Sequence, residues 1–258
     1  MIRGTPEADD YFHGMRQDDL VLDLTGNMAI ALTARGITQL GISLGAGDDH
    51  LSDLASLMQA EVDAQATNGN VVTGVRVEPL SIPLVVYGAE GNDWLLGGTG
   101  DDEFDGGPGN DEASGLAGND TYLSGIEGDG TDTWNGGADY DGISYARREA
   151  DVTVTSCISA AFLMCNSGEC VCTDMSGEPG ENDRVVNVEE LTGGAGNDIL
   201  RGTDAADSLS GGPGDDALFG LGGSDLLFGQ LGEDTFEGGT DGDYCDGRSD
   251  ETMLSCEI

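Results

Sequence analysis

The residues of this chain best equipped to do chemistry are aspartates that return every nine positions. From Gly193 the sequence reads GGAGNDILR, GTDAADSLS, GGPGDDALF, GLGGSDLLF, GQLGEDTFE and GGTDGDYCD, with Asp at the sixth place of every block. An earlier series starts at Gly88 with GAEGNDWLL, GGTGDDEFD, GGPGNDEAS and GLAGNDTYL, slips by three residues at 124–126, and resumes as EGDGTDTWN and GGADYDGIS. The sixth-place residues are Asp93, Asp102, Asp111, Asp120, Asp132 and Asp141, then Asp198, Asp207, Asp216, Asp225, Asp234 and Asp243. Carboxylates and backbone carbonyls are hard oxygen donors of the kind Ca²⁺ prefers. Glycines at the first, second and fourth places let the backbone reach positive φ in a tight turn, so that carbonyls can face one centre. The candidate metal-binding set is therefore these aspartates, the fifth-place Asn92, Asn110, Asn119 and Asn197, and the turns opened by Gly88, Gly97, Gly106, Gly115, Gly193, Gly202, Gly211, Gly220 and Gly229. Ala205, Asp139 and Asp241 stand where other blocks have the fourth-place glycine, and their turns are expected to be distorted.

Something must hold those turns in line. Places seven to nine read polar, apolar, polar, the pattern of a three-residue strand with one inward side chain. The inward residues would be Leu95, Phe104, Ala113, Tyr122, Trp134 and Ile143, then Leu200, Leu209, Leu218, Leu227, Phe236 and Cys245. At this point the blocks resemble the G-G-x-G-x-D-x-U-x repeats of the RTX, or haemolysin-type calcium-binding, family. The resemblance implies an all-β parallel β-roll or β-helix solenoid in which two nonapeptides make one coil and calcium sits between stacked turns. Turns 193–198, 211–216 and 229–234 would then line one edge, and 202–207, 220–225 and 238–243 the other.

Composition limits the partners. The chain has 258 residues, 50 of them Asp or Glu, with nine Arg and no Lys, for a formal charge of −41. Such a charge opposes compaction until cations neutralise it, and it makes nucleic acid and anionic membrane surfaces poor partners. No apolar run reaches the length of a membrane span, and the N-terminus has no apolar stretch of a secretory signal, so a mature piece or a fragment of a larger chain is expected.

Around the two series the chain divides into 1–87, 88–144, 145–190, 191–246 and 247–258. Residues 1–87 hold short runs rich in β-formers, such as LVLDL and LSIPLVVYG, and read as coils of a β-helix with longer turns. IRGTPEADDYF at 2–12 aligns with LRGTDAADSLS at 200–210, placing Asp9 against Asp207, and LGAGDDHLS at 44–52 is a further isolated match. Residues 51–60 could form a brief helix. The 145–190 segment is expected to interrupt the solenoid as a Cys-rich insert. Its Cys157, Cys165, Cys170 and Cys172 could bind zinc, but an extracellular calcium protein favours two disulfides of unassigned pairing. Cys245 and Cys256 would form a third bridge pinning the tail, 247–258, over the end of the roll.

Catalysis finds no support, because the two histidines lie in no recognised motif and no G-x-S-x-G elbow occurs. The expectation is a secreted protein, extracellular or at the cell surface, that folds on Ca²⁺ and acts as a structural or adhesive element. Its partners would be extracellular matrix or cell-surface components, or further copies of itself stacked end to end. The alternative is an accessory secretion and folding module of a larger RTX enzyme.

Overall fold

Apolar residues at the eighth place of each block give the chain one row of inward side chains per sheet, and two facing rows form the core. The computed structural model describes residues 82–125, 129–158, 175–246 and 252–256 in full, together with the backbone of 20–23, 40–43 and 50–51. Two parallel sheets face each other, each with ten strands among the described residues. The first stacks β1 (Leu20–Asp23), β2 (Leu40–Ser43), β4 (Leu84–Tyr87), β6 (Glu103–Asp105), β8 (Thr121–Leu123), β10 (Gly142–Ser144), β13 (Glu190–Thr192), β15 (Ser208–Pro213), β17 (Leu226–Leu231) and β19 (Tyr244–Asp246). The second stacks β3 (His50–Leu51), β5 (Trp94–Leu96), β7 (Glu112–Ala117), β9 (Thr133–Ala138), β12 (Arg184–Val186), β11 (Thr153–Cys157), β14 (Ile199–Arg201), β16 (Ala217–Leu221), β18 (Thr235–Gly239) and β20 (Thr252–Leu254). This is the expected all-β parallel solenoid of two nonapeptides per coil.

Every eighth-place residue named above is buried. Register pairs them coil on coil, as in Leu95 with Ala113 and Leu209 with Leu227. Ala113 is small where its stack neighbour Trp134 is large, and Trp134 packs against Phe104 at 5.3 Å and Tyr122 at 5.6 Å between ring centroids. The three-residue slip is absorbed without loss of face, because Ala113 still pairs with Trp134 and Tyr122 with Ile143. Several strands are longer than the three residues expected. In β7, β9, β15 and β17 pairing continues into the next block, as in Leu116 with Gly137 and Gly212 with Gln230.

On the N-terminal side, β1 and β2 extend the first sheet in register with β4. β3 sets Leu51 against Leu95, eighth place against eighth place. The alignment at 2–12 lies outside the described residues, as does the helix expected over 51–60 apart from Leu51, which belongs to β3.

The 145–190 segment departs from expectation. Its described parts do not interrupt the solenoid but supply β11, β12 and β13. In the second sheet β12 lies before β11 although it follows it in the chain. Val185 of β12 pairs with Trp134 on one side and Ser156 on the other, whereas Val154 of β11 pairs with Leu200. Val154 and Ser156 are two residues apart, so the offset keeps one face inward. The rest of β11 is covered by the strip at 176–183, where Thr153 and Gly177 exchange hydrogen bonds of 2.8 and 3.1 Å. The first sheet runs straight through, with Ile143, Leu191 and Leu209 in register. Cys157 is disulfide-bonded, and Cys165, Cys170 and Cys172 lie outside the described residues.

At the other end Cys245 and Cys256 form a disulfide with Cα atoms 5.7 Å apart. The tail is more than a pinned cover, because Thr252–Leu254 add β20 to the sheet and Met253 pairs with Phe236.

Candidate metal centres along the two edges

Each sixth-place aspartate sits at the start of a strand, where the turn feeds the sheet, and none of the twelve is more than 4 % exposed. One carboxylate oxygen has a fixed structural task. Oδ1 of Asp111 accepts from the N–H of Asp93 at 2.8 Å, and Asp120 Oδ1 accepts from Asp102 N at 2.7 Å. Asp216 Oδ1 accepts from Asp198 N at 2.8 Å, and Asp225 Oδ1 from Asp207 N at 2.9 Å. The carboxylate therefore reaches back one coil and ties stacked turns together.

The second oxygen divides the turns into two kinds. In eight blocks the second-place residue has positive φ: Ala89 (77°), Gly107 (90°), Leu116 (77°), Gly137 (116°), Gly212 (112°), Leu221 (78°), Gln230 (73°) and Gly239 (110°). In six of those blocks Oδ2 of the sixth-place residue, Asp111, Asp120, Asp141, Asp216, Asp225 or Asp243, is buried with no hydrogen-bond donor. In three others the second-place residue is outside that region and its N–H donates to the carboxylate, as Gly98 does to Asp102 at 2.8 Å and Gly194 and Thr203 do to Asp198 and Asp207 at 2.5 Å. These three turns stack behind Leu84, Val152 and Glu189, none of which closes a glycine-rich block. A turn thus satisfies its own carboxylate where no repeat turn precedes it, and in six of the blocks where one does an oxygen is left bare.

A bare buried carboxylate oxygen is costly unless a cation meets it. The carbonyls of places two and four lie between stacked turns, against the corresponding glycine of the next coil: Ala89 O beside Gly107, and Gly196 O beside Gly214. One carboxylate oxygen with neutral carbonyls suits a hard divalent ion with flexible coordination. Among the described residues no group of three His, Cys, Asp or Glu side chains is placed to hold a metal ion by itself, so the carbonyls must supply most of the ligands.

The glycines act for two reasons, of which the sequence suggested one. Places two and four do take positive φ, and non-glycine residues also adopt it there, including Asp139 at 81° and Asp241 at 79°. Those two expected distortions are absent, since Asp tolerates this region. At the fourth place Gly100, Gly196 and Ala205 stay outside it, in the three blocks whose second-place N–H satisfies the carboxylate. At the first place φ is ordinary and the constraint is space. A Cβ on Gly97 would stand 2.5 Å from both Asp102 Oδ2 and Gly115 O.

The fifth-place asparagines occupy the outside of the same edges. Asn92 Oδ1 accepts from Asn110 N at 2.9 Å, Asn110 Oδ1 from Thr131 N at 2.9 Å, Asn119 Oδ1 from Tyr140 N at 3.1 Å, and Asn197 Oδ1 from Asp215 N at 2.8 Å. This ladder reaches forward along the chain where the aspartate ladder reaches back. Adjacent side chains leave an extended backbone on opposite sides, which sends the sixth place to the turn centre and the fifth outward.

Two further carboxylates belong to the series and carry no glycine signature. Asp183 Oδ1 accepts from Asp132 N at 2.9 Å, and Glu189 Oε2 from Asp141 N at 3.0 Å, each in the sixth-place role. EPGENDRVV at 178–186 shows what could have revealed the first, namely Asn-Asp followed by an apolar residue two places on.

Burial, above all, raises these carboxylates, with neighbouring carboxylates adding to it. Asp111, Asp120 and Asp216 are pushed up to about 7, and Asp132 and Asp141 to about 8. Because the folded values lie above the ordinary value near 3.8, the cation-free fold binds protons that the unfolded chain releases, and its stability falls as pH rises from about 4 to about 8. In chelator the chain should therefore show more β signal at pH 5 than at pH 8, by circular dichroism. Equal signals would mean that these groups are not buried without a cation.

Comparison with known proteins agrees with this geometry. The family model for the RTX calcium-binding nonapeptide repeat matches residues 87–122, 192–227 and 219–251. No curated protein matches the chain.

Proposed function

We propose, from the premise that this chain is built on RTX calcium-binding nonapeptide repeats and takes Ca²⁺ as its cofactor, that it is an extracellular, calcium-stiffened structural or adhesive element. The observation that carries the reading is the pairing of a positive-φ second place with a bare buried Oδ2 in six blocks whose turn stacks on an earlier repeat turn. Calcium would lie between turns 88–93 and 106–111, and between 97–102, 115–120 and 136–141. In the second series it would lie between 193–198, 211–216 and 229–234, and between 202–207, 220–225 and 238–243. The carboxylate of the later turn in each pair faces the carbonyls of the earlier one. In a low-calcium cytosol the acidic turns repel and the chain stays unfolded. Outside the cell, binding free energy becomes folding free energy.

The site chemistry supports a scaffold. The carboxylates are consumed in holding coils together, and the continuous sheets transmit load along the stack. No helix among the described residues is long and apolar enough to cross a membrane. Further copies of the chain are a second partner class, favoured by β19, which ends the first sheet with one edge unpaired among the described residues.

The test is retention of the purified chain on producing cells and on matrix polymers, with calcium and with chelator, alongside light scattering at high concentration. A scaffold role predicts calcium-dependent retention or calcium-dependent assembly. A chain that remains an unattached monomer with calcium bound would favour the accessory-module alternative.

A further inference from the structure

On the edge that carries turns 106–111, 129–132, 178–183, 193–198 and 211–216, the run of bare carboxylate oxygens is interrupted. Asp111 and Asp216 each leave Oδ2 without a donor. Between them, Asp132 Oδ2 accepts from the Tyr122 hydroxyl at 3.1 Å, Asp183 Oδ2 from the Tyr145 hydroxyl at 2.9 Å, and Asp198 Oδ2 from Gly194 N at 2.5 Å.

The same interval holds Arg148, which is 1 % exposed. Its Nη2 lies 2.5 Å from Asp129 Oδ1 and 2.9 Å from Glu181 Oε1, and its Nη1 lies 3.1 Å from Glu178 Oε1. Ser124 Oγ accepts from Nη2 at 2.8 Å and from Nε at 3.3 Å, and the guanidinium stands 5.8 Å from the Tyr145 ring centroid. Asp129 lies in the last turn of the first series on this edge, and Glu178 and Glu181 lie in the strip that leads into β12. One guanidinium thus gathers carboxylates from two stacked turns. Burial opposes its charge, but Asp129 and Glu181 outweigh that and hold it cationic. Glu181 Oε1 also accepts from Asp129 N at 3.1 Å, which closes the contact between the turns.

We propose that Arg148, with the Tyr122 and Tyr145 hydroxyls, makes the coil where the two repeat series meet a metal-independent clasp, supplying on this edge the charge and the donors that calcium supplies elsewhere. The proposal rests on the calcium reading given above. Its consequence is an order of assembly: as calcium falls the junction is the last part of the roll to open, and as calcium returns the arrays grow outward from it.

Hydrogen exchange read by mass spectrometry on the full chain, across a series of free calcium concentrations, tests this. Segments 142–157 and 184–192 should keep protection at calcium levels where 103–117 and 217–239 have lost it. If all four lose protection at one calcium concentration, the clasp is overturned and the calcium reading stands. If all four stay protected in chelator, both fail. Arg148→Gln should move the junction's midpoint to at least about tenfold higher calcium, since it leaves buried carboxylates unpaired, while 217–239 shifts by less than about twofold. Tyr145→Phe, which removes one hydroxyl and keeps the ring, should shift the junction in the same direction by about threefold. A junction midpoint unmoved by either substitution overturns the proposal.

Discussion

Transfer of the folded chain into a calcium chelator at pH 8 is expected to abolish most of its far-ultraviolet β signal, and calcium is expected to restore it. The reason lies in where the charge sits. Of the formal −41, twelve carboxylates are the buried sixth-place aspartates, stacked along two edges. An unpaired buried carboxylate costs several kcal/mol. Net folding free energies are only about 5–15 kcal/mol, so loss of even a few ions exceeds what the core can offset. About eight ions would neutralise about 16 charges and leave the folded chain strongly acidic. The transition should be steep, because each middle turn serves the ions on both sides of it. Mg²⁺ should substitute poorly, since it demands near-octahedral geometry and keeps its waters. The measurement is circular dichroism against free calcium, and a chain that keeps its β signal in chelator would refute calcium-dependent folding.

Gly97→Ala is expected to destabilise the calcium-loaded protein by about 2–3 kcal/mol and to raise the calcium needed for folding. The added methyl would lie 2.5 Å from Asp102 Oδ2, 2.5 Å from Gly115 O and 3.1 Å from Phe104 Cζ. Two of those atoms cannot withdraw cheaply, because one is backbone and the other belongs to the carboxylate that caps the turn. Gly142→Ala is the matched control. Its Cβ would meet nothing closer than 3.6 Å, and its change should stay within about 0.5 kcal/mol. Denaturant midpoints in saturating calcium measure both. Equal effects would show that the first-place glycine is a matter of backbone freedom and not of space.

The contrast between these glycines also marks how far sequence reasoning reached. The period of nine exposed the sixth-place aspartates and the eighth-place core together, because a solenoid repeats its contacts as it repeats its sequence. Leu95, Phe104 and Trp134 could be placed inward, and all are buried. Local sequence assigns every glycine one role, although crowding at the first place arises from the folded position of Asp102 Oδ2 and from Gly115 O on the next coil. It counted Asn92 and Asn110 as ligands, yet their side-chain oxygens belong to the outer ladder. Residues 145–190 read as an interruption because four cysteines and the loop-like TDMSGEPGEND stand there in place of the nonapeptide. Asp183, Glu189 and Val185 nonetheless fill the sixth and eighth places of regular coils.

What the sequence determined by itself was therefore the repeating unit: a turn rich in oxygen donors, a carboxylate at its end and a short strand with one apolar anchor. These depend on residues within one nonapeptide or on its exact recurrence. Which carboxylate oxygens need a cation was decided only in three dimensions. Asp132 and Asp111 occupy the same place in similar blocks, but Tyr122 satisfies the second oxygen of one and nothing satisfies that of the other. Tyr145 reaches Asp183 across 38 residues, and Asp132 meets Asp183 across 51. Satisfaction of a buried polar atom is set by its neighbours on adjacent coils. Where the chain crosses back on itself at β11 and β12, those neighbours are no longer one period away.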